Sequence, residues 1–529
     1  MFPISQHTNK TLLAIHGWSG ISLGILLYAI LVTGVLAVFA DEIGDWSAPL
    51  PSPVEQGLPV KLNDSLRLAA ATVAPDYLTD VAVFRMSGGR VFSYFHDHFK
   101  QADKTIAKGT VVIFDNEGRE IRRRDAIDTE AFGQEPESAL SEFFVDLHVR
   151  LHVPNPWGFL LTGVLGMAMM VATISGLVMH RHLLRELFTL RRKGQPVLSK
   201  RDSHAAAASW SLPFCFLLAF TGSFFSFAGS FGLPALAMVA FGGDMERMEE
   251  EILGGSPEGD TSASHMVDVD LVLQDARNRS AGVPTFLEIQ GWGQANAQIA
   301  MNLLPQNDAL TGPVYVYDGV SGDFVREKPA LGKTASAGGS LVSLMAPLHF
   351  GFFAGVASKA VWFALGAAVA YVTFTGMTLW LTRRRIGDHF KHLEKSVYWA
   401  GYGFPCALAA ASLAFFVSPP GTVHDVMMTV FLATLALTLA QCWMTDVQKI
   451  ARRMLGQTGA LLLLLPAIRM LSGGPSWFDA AEQAFYSLIA IDTMILIGAL
   501  VCLMLSFNSL KSQKREFSPA ALVNTSLVE

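Results

Sequence analysis

From Trp157 to Met179 the chain runs for 23 residues without a charge. At about 1.5 Å per residue that length crosses a hydrocarbon core roughly 30 Å thick, and lipid leaves an unpaired segment no option but helix. Histidines stand just outside both ends: His148 and His152 before it, His180 and His182 after it. Imidazole is costly in lipid and well suited to holding a haem iron or another metal. A membrane helix with a candidate ligand at each surface suggests something passed from one side to the other. Composition agrees, with 51% of 529 residues hydrophobic, 16% charged and a mean hydropathy of +0.37. That is the profile of a polytopic membrane protein with some soluble mass.

The remaining apolar runs give an eight-span topology. The first, Thr11–Ala40, is interrupted only by His16 and is too long for a signal-peptide core, so it reads as an uncleaved span. A basic loop, 183–203, holds Arg185, Arg191, Arg192, Lys193, Lys200 and Arg201. The positive-inside rule makes that loop cytoplasmic and places residues 41–146 outside. A third span begins near Ala205 and meets no charge before Asp244; Pro213 and Pro234 predict a kink or a shallow apolar end. The fourth, Ala360–Leu381, stops at Arg383-Arg384-Arg385. Four more runs fill 396–510, the seventh shortened by Arg469, and a basic tail, 511–529, follows. Both termini are then cytoplasmic. The polar stretches 41–146 and 244–340 alternate like strands (VAVFRM, RVFSYF, TVVIF; PTFLEIQ, AQIAMNL, VYVYD) around short amphipathic helices, so each reads as a small α+β domain. Asn63–Asp64 reads as the cap of the first of those helices.

Cys215, Cys406, Cys442 and Cys502 all lie in apolar runs and form neither CxxC nor CxxCH. This argues against a disulfide framework, a thiolate metal site and covalently attached haem. The net charge of −6 gives no reason to expect a nucleic-acid partner.

The chain contains a twofold internal repeat, 1–182 and 204–385. His16 and His204 each precede a glycine, Gly34 in VTG and Gly222 in FTG, by 18 residues. His148 precedes Gly176 in ISG by 28 residues, and His349 precedes Gly376 in FTG by 27. VVIFDNEGREI matches VYVYDGVSGDFV in the soluble parts. Each copy is span, outer domain, span, and both enter from the same side, so the repeat is parallel. His16 and His204 then occupy equivalent places near the cytoplasmic face, and His148 and His349 near the outer face. Equivalent histidines facing across a four-helix bundle are what six-coordinate b-type haem needs, and two pairs predict two haems. Gly17, Gly20, Gly24 and Ala205–Ala208 are expected to leave room for the porphyrin.

IHGWSG, LHVRL, RDSH and PLHFGFFAG, in this order and flanking two outer α+β domains, resemble the PepSY-associated transmembrane family over residues 1 to about 385. That family includes haem-containing siderophore reductases of the bacterial inner membrane. The resemblance implies PepSY folds for the outer domains and family roles for His16, His148, His204, His349 and His180. It implies a haem-dependent ferric-siderophore reductase, an oxidoreductase of iron acquisition. The electron donor must be a separate cytoplasmic reductase or a quinol, because no cytoplasmic segment is long enough for a nucleotide- or flavin-binding domain and no GxGxxG sits in a βαβ context.

Several positions stay open. His180 has Trp380 as its repeat partner, so it either replaces His16 or His204 as axial ligand or hydrogen-bonds a haem propionate. His152, spaced i, i+4 from His148, is the alternative outer ligand, or one of a zinc-type pair lacking a third ligand. His96 and His98 flank Asp97 near a strand end and could lie on one sheet face. Arg122-Arg123-Arg124 reads as a solvated edge able to attract an anionic chelate. Asp492 and Arg469 could pair within the last spans. A proton-coupled transporter and a non-catalytic PepSY scaffold that regulates a peptidase are the rival functions.

Overall fold

The structure is a computed structural model that describes residues 5–48, 57–59, 61–101, 104–127, 131–132, 135–179, 196–253, 257–280, 282–305, 309–384 and 390–516. In chain order the principal elements begin with helices α1 (Gln6–Ala37), α2 (Ala40–Ser47) and α3 (Asn63–Ala70). Strands β1 (Asp80–Arg85), β2 (Val91–Gln101), β3 (Lys104–Phe114) and β4 (Glu120–Ile127) follow. Then come α4 (Ala139–Arg150), α5 (Trp157–Met179), α6 (Pro196–Phe227), α7 (Leu233–Phe241) and α8 (Val269–Ser280). Strands β5 (Pro284–Gln290), β6 (Gln298–Leu303), β7 (Val314–Asp318) and β8 (Phe324–Lys328) lead to α9 (Met345–Phe350) and α10 (Gly355–Thr382). The chain continues through α11 (Lys391–Val417), α12 (Val423–Trp443), α13 (Val447–Leu471) and α14 (Tyr486–Glu516). Among the described residues, eight helical segments are long and apolar enough to span a membrane. The third, Leu198–Phe241, includes a π-helical turn, Ala228–Gly232, just before Pro234.

The chain divides into two compact units: Met1–Pro49, Ala139–Ser226 and Phe363–Glu529 form one, and Leu50–Ser138 with Phe227–Trp362 the other. In the first, small residues let helices approach closely, as helix pairs in lipid require. A Cβ on Gly17 would stand 2.9 Å from Trp380, one on Gly24 2.6 Å from Met377, and one on Gly166 2.3 Å from the Ser223 hydroxyl. Gly17 and Gly24 therefore seat α1 against α10 and do not make porphyrin space; only Gly20 of the three faces an opening. The Ser223 hydroxyl donates to the Gly163 carbonyl at 3.2 Å, and Thr162 and Ser226 hydroxyls meet at 3.0 Å, joining α5 to α6. Among the last four spans α11 is the most enclosed, tied to α1 by the Tyr28 hydroxyl on the Gly401 carbonyl at 3.1 Å. Arg469 is 1% exposed and donates to Asp492, itself fully buried, at 2.8 Å. Trp46 and Trp477 indoles donate to the same carboxylate at 2.8 and 2.7 Å.

The second unit is built on one antiparallel sheet ordered β4-β3-β2-β1-β5-β6-β7-β8. The two α+β segments thus share a single sheet, joined where Val81 pairs Ile289 and Val83 pairs Leu287. The order is symmetric about that junction, and the matching turns lie at corresponding places: Gly118 and Gly322 both take φ of +79°, a conformation only glycine adopts cheaply. One face packs Val81, Val83, Phe95, Leu287, Ile289 and Tyr317 on α3 and α8. The other carries Phe92, Tyr94, Val111 and Ile113. The two helices cap each other. Asp270 accepts from Leu62 and Asn63 amides at 2.7 and 3.0 Å, while the Asn63 side chain accepts from the Val269 amide at 3.2 Å. Asn63 therefore caps the other repeat's helix and not its own, a partnership that lies 206 residues away.

Candidate functional site

His16 on α1 and His204 on α6 stand with ring centroids 6.4 Å apart and planes crossing at 73°. Each is fixed by the paired helix of its own repeat. His16 Nδ1 lies 2.9 Å from the Ala172 carbonyl and 3.3 Å from the Ser175 hydroxyl on α5. His204 Nδ1 lies 3.1 Å from the Val372 carbonyl and 3.2 Å from the Thr375 hydroxyl on α10. Both hydroxyls spend their own protons on the preceding helical turn, Ser175 on Val171 at 2.7 Å and Thr375 on Tyr371 at 2.7 Å. Carbonyl and hydroxyl oxygens can then only accept, which makes Nδ1 the N–H and puts the lone pair on Nε2.

Glycine makes this approach possible. A Cβ on Gly176 would stand 3.3 Å from His16 Cε1, and one on Gly376 3.1 Å from His204 Cε1. His148 repeats the arrangement: its Nδ1 lies 2.9 Å from the Ile30 carbonyl, and a Cβ on Gly34 would be 2.7 Å from its Cε1. In all three cases the imidazole is held by the carbonyl four residues before a glycine that follows Ser or Thr: Ser175-Gly176, Thr375-Gly376 and Thr33-Gly34. Three glycines of the internal repeat, Gly34, Gly176 and Gly376, are thus histidine seats. The repeat displays these glycines by spacing, and the Ser-Gly or Thr-Gly dipeptide they share is the sequence signal of the seat.

His148 lies on α4, and burial pulls its imidazole below its ordinary pKa against the opposing bond to Ile30. It is therefore neutral at pH 7, as a metal ligand must be. His349 belongs to the other unit, in α9, with its ring against Phe350 at 5.4 Å. His180 and His182 lie outside the described residues. His152 does not share a helix face with His148: α4 ends at Arg150, and Leu151 and His152 take φ of 51° and 54°. The His152 ring turns back on Phe143 at 4.7 Å, with Nδ1 3.7 Å from Asp146, so the i, i+4 zinc-type pair is not formed. Arg122 pairs with Glu135 and Glu137, Arg124 with Glu135 and Arg123 with Glu120, so each arginine of the β4 run is ion-paired. His424 is occupied by Glu142 at 3.6 Å.

Two histidines whose lone pairs both sit on Nε2 form the donor set of a six-coordinate haem iron. The residues present at His16 and His204 fit such a group.

The sequence relationships agree with this architecture. The chain belongs to the PepSY-associated transmembrane family, whose transmembrane region matches residues 13–383. That match takes in both repeats and ends before α11. The chain is also 26% identical over 257 residues to a Pseudomonas aeruginosa protein named Uncharacterized protein PA4219. The similarity covers 46% of this chain and 64% of that relative, so the chain spans a little under two thirds of its length.

Proposed function

We propose that the protein is a multi-pass oxidoreductase of the bacterial inner membrane that delivers electrons to a ferric siderophore in the periplasm. Two b-type haems, one held by His16 and His204 and the other ligated from His148, would supply one-electron carriers near each surface. His180 and His152 remain the alternative ligands at the inner and outer sites. The observation that carries the proposal is the 6.4 Å pair of His16 and His204, each with its Nδ1 proton committed to a helix carbonyl. Those bonds orient the rings, fix the tautomer and keep Nε2 as the coordinating atom. Around them, the buried Trp380 and Met377 side chains close the α1–α10 contact.

The acceptor follows from chemistry and family together. One electron converts chelated Fe(III) to Fe(II), which hard oxygen donors hold more weakly, so the metal is released. The donor is a separate cytoplasmic reductase or a membrane quinol. The sheet of the second unit would face the periplasm, where it could meet the chelate, with both chain termini on the cytoplasmic side.

Sealed vesicles test this directly. With dithionite enclosed, a ferric trihydroxamate outside and an impermeant ferrous chelator to trap product, wild type should generate the ferrous complex. His16→Ala and His204→Ala should cut that rate at least about tenfold, the lower end of what disturbing a metal site's ligand shell costs. Equal rates in wild type, variants and empty vesicles would leave the transporter or scaffold as the better account.

A further inference from the structure

The sheet face turned away from α3 and α8 carries a second cluster of ligating side chains that the electron path does not use. Asp80 of β1 is the cross-strand partner of His96 of β2, so their side chains stand next to each other on one face. His98 lies two residues along the same strand and therefore on that face too. One ligand atom from each of the three lies within 4.8 Å of the others, and His98 Nδ1 is 3.7 Å from Asp80 Oδ2.

Three features distinguish this cluster from a chance meeting of polar groups. Asp80 is only 8% exposed, and its Oδ1 is buried without a hydrogen-bond partner. A buried carboxylate oxygen left without a donor is costly, and a bound cation removes that cost. His96 is already oriented: its Nδ1 is 3.3 Å from the Tyr94 carbonyl and its ring stacks on Tyr94 at 4.4 Å and 4°. The carbonyl can only accept, so Nδ1 carries the proton and Nε2 the coordinating lone pair. Opposite His96 on β3 stands Gly109, where a Cβ would come within 1.9 Å of the Phe95 carbonyl and 2.7 Å of His96 Cβ. The position directly opposite the ring on that strand carries no side chain to crowd it.

We propose that Asp80, His96 and His98 bind a divalent first-row transition-metal ion. Two imidazoles and a carboxylate suit ions of the Fe(II) and Zn(II) class; Mg(II) and Ca(II) favour all-oxygen shells. Ligands on one tetrahedral ion at ~2.0–2.2 Å stand ~3.3–3.6 Å apart. The Asp80–His98 separation is already close to that, and the half-exposed His98 side chain can swing to close the rest. Three protein ligands leave a position for water or an incoming donor atom. The site lies wholly within the second unit and stands whether or not the membrane histidines carry haem.

Equilibrium dialysis of the full-length protein in detergent against Zn(II), with bound metal measured by atomic emission, tests the site. Wild type should bind one more Zn(II) per chain than His98→Gln, and Asp80→Asn should weaken that ion at least about tenfold. The His98 side chain is 49% exposed, so loss of zinc there cannot be ascribed to unfolding. Magnesium at the same concentration should not compete. Identical zinc stoichiometry and affinity in wild type, His98→Gln and Asp80→Asn would overturn the assignment. Zinc bound without haem would leave this site standing; haem without zinc would remove this site alone.

Discussion

At the scale of single residues, the histidine seats depend on what glycine lacks. Gly34→Ala puts a Cβ 2.7 Å from His148 Cε1, whereas Gly176→Ala puts one 3.3 Å from His16 Cε1. Helix propensity favours alanine over glycine by about 1 kcal/mol, so neither exchange should unfold its helix. Haem content per purified chain should fall by about half in Gly34→Ala, judged against two ligand pairs, and much less in Gly176→Ala. A second residue-scale outcome concerns acid. Burial lowers the His152 pKa below 6.5, only partly countered by Asp146. The unfolded chain then binds a proton the folded one refuses, so this contribution is complete above pH 6.5 and is lost as pH falls toward the folded value. His152→Asn, which tolerates the left-handed backbone there, should flatten part of the decline in thermal midpoint between pH 7 and pH 5. An unchanged slope would exclude His152 as a source. What the sequence offered at this scale was the histidine set and the glycine spacings. Which atom faced which was hidden, because the partner carbonyls come from helices about 120 to 170 residues distant and backbone atoms leave no trace in side-chain patterns.

Among the elements, the spans were the most legible because uncharged length is a local property: all eight apolar runs are helices of membrane length. The Arg469–Asp492 pair was visible as two charges in apolar runs, but the two tryptophans were not, since Trp46 comes from α2, 446 residues from Asp492. That carboxylate ties α13, α14 and α2 together. Arg469→Met leaves Asp492 buried with two indoles but no charge partner, which should cost about 3–5 kcal/mol. Arg469→Met with Asp492→Leu should recover much of it, less whatever the two indole bonds contribute. Thermal unfolding in detergent measures both, and a single variant as stable as wild type would show the pair to be dispensable. The strands were legible as alternation, though β2 and β3 extend further than expected, to Gln101 and Lys104. This carries His96 and His98 inside the ladder and not at its end.

On the scale of the whole molecule, the internal repeat yields one sheet and one ring of four helices, α1, α5, α6 and α10, joined by seated histidines and small-residue contacts. Two separate outer domains were the natural expectation, because nothing local marks β1 and β5 as neighbours; their pairing depends on both repeats being present. Hydrogen exchange should therefore be slowest at the amides of β1 and β5, in the middle of eight strands, and fastest at β4 and β8, the edges. Exchange as fast at the β1–β5 junction as at the edges would mean two independent halves. The central claim is that the repeat pairs histidines around haem, and a dithionite-reduced minus oxidised spectrum of purified protein from haem-replete cells tests it most directly. The account predicts a b-type signal that falls by about half in His204→Ala, as expected when one of two bis-histidine sites is lost. A wild-type spectrum with no b-type signal, or a full signal in His204→Ala, would contradict it.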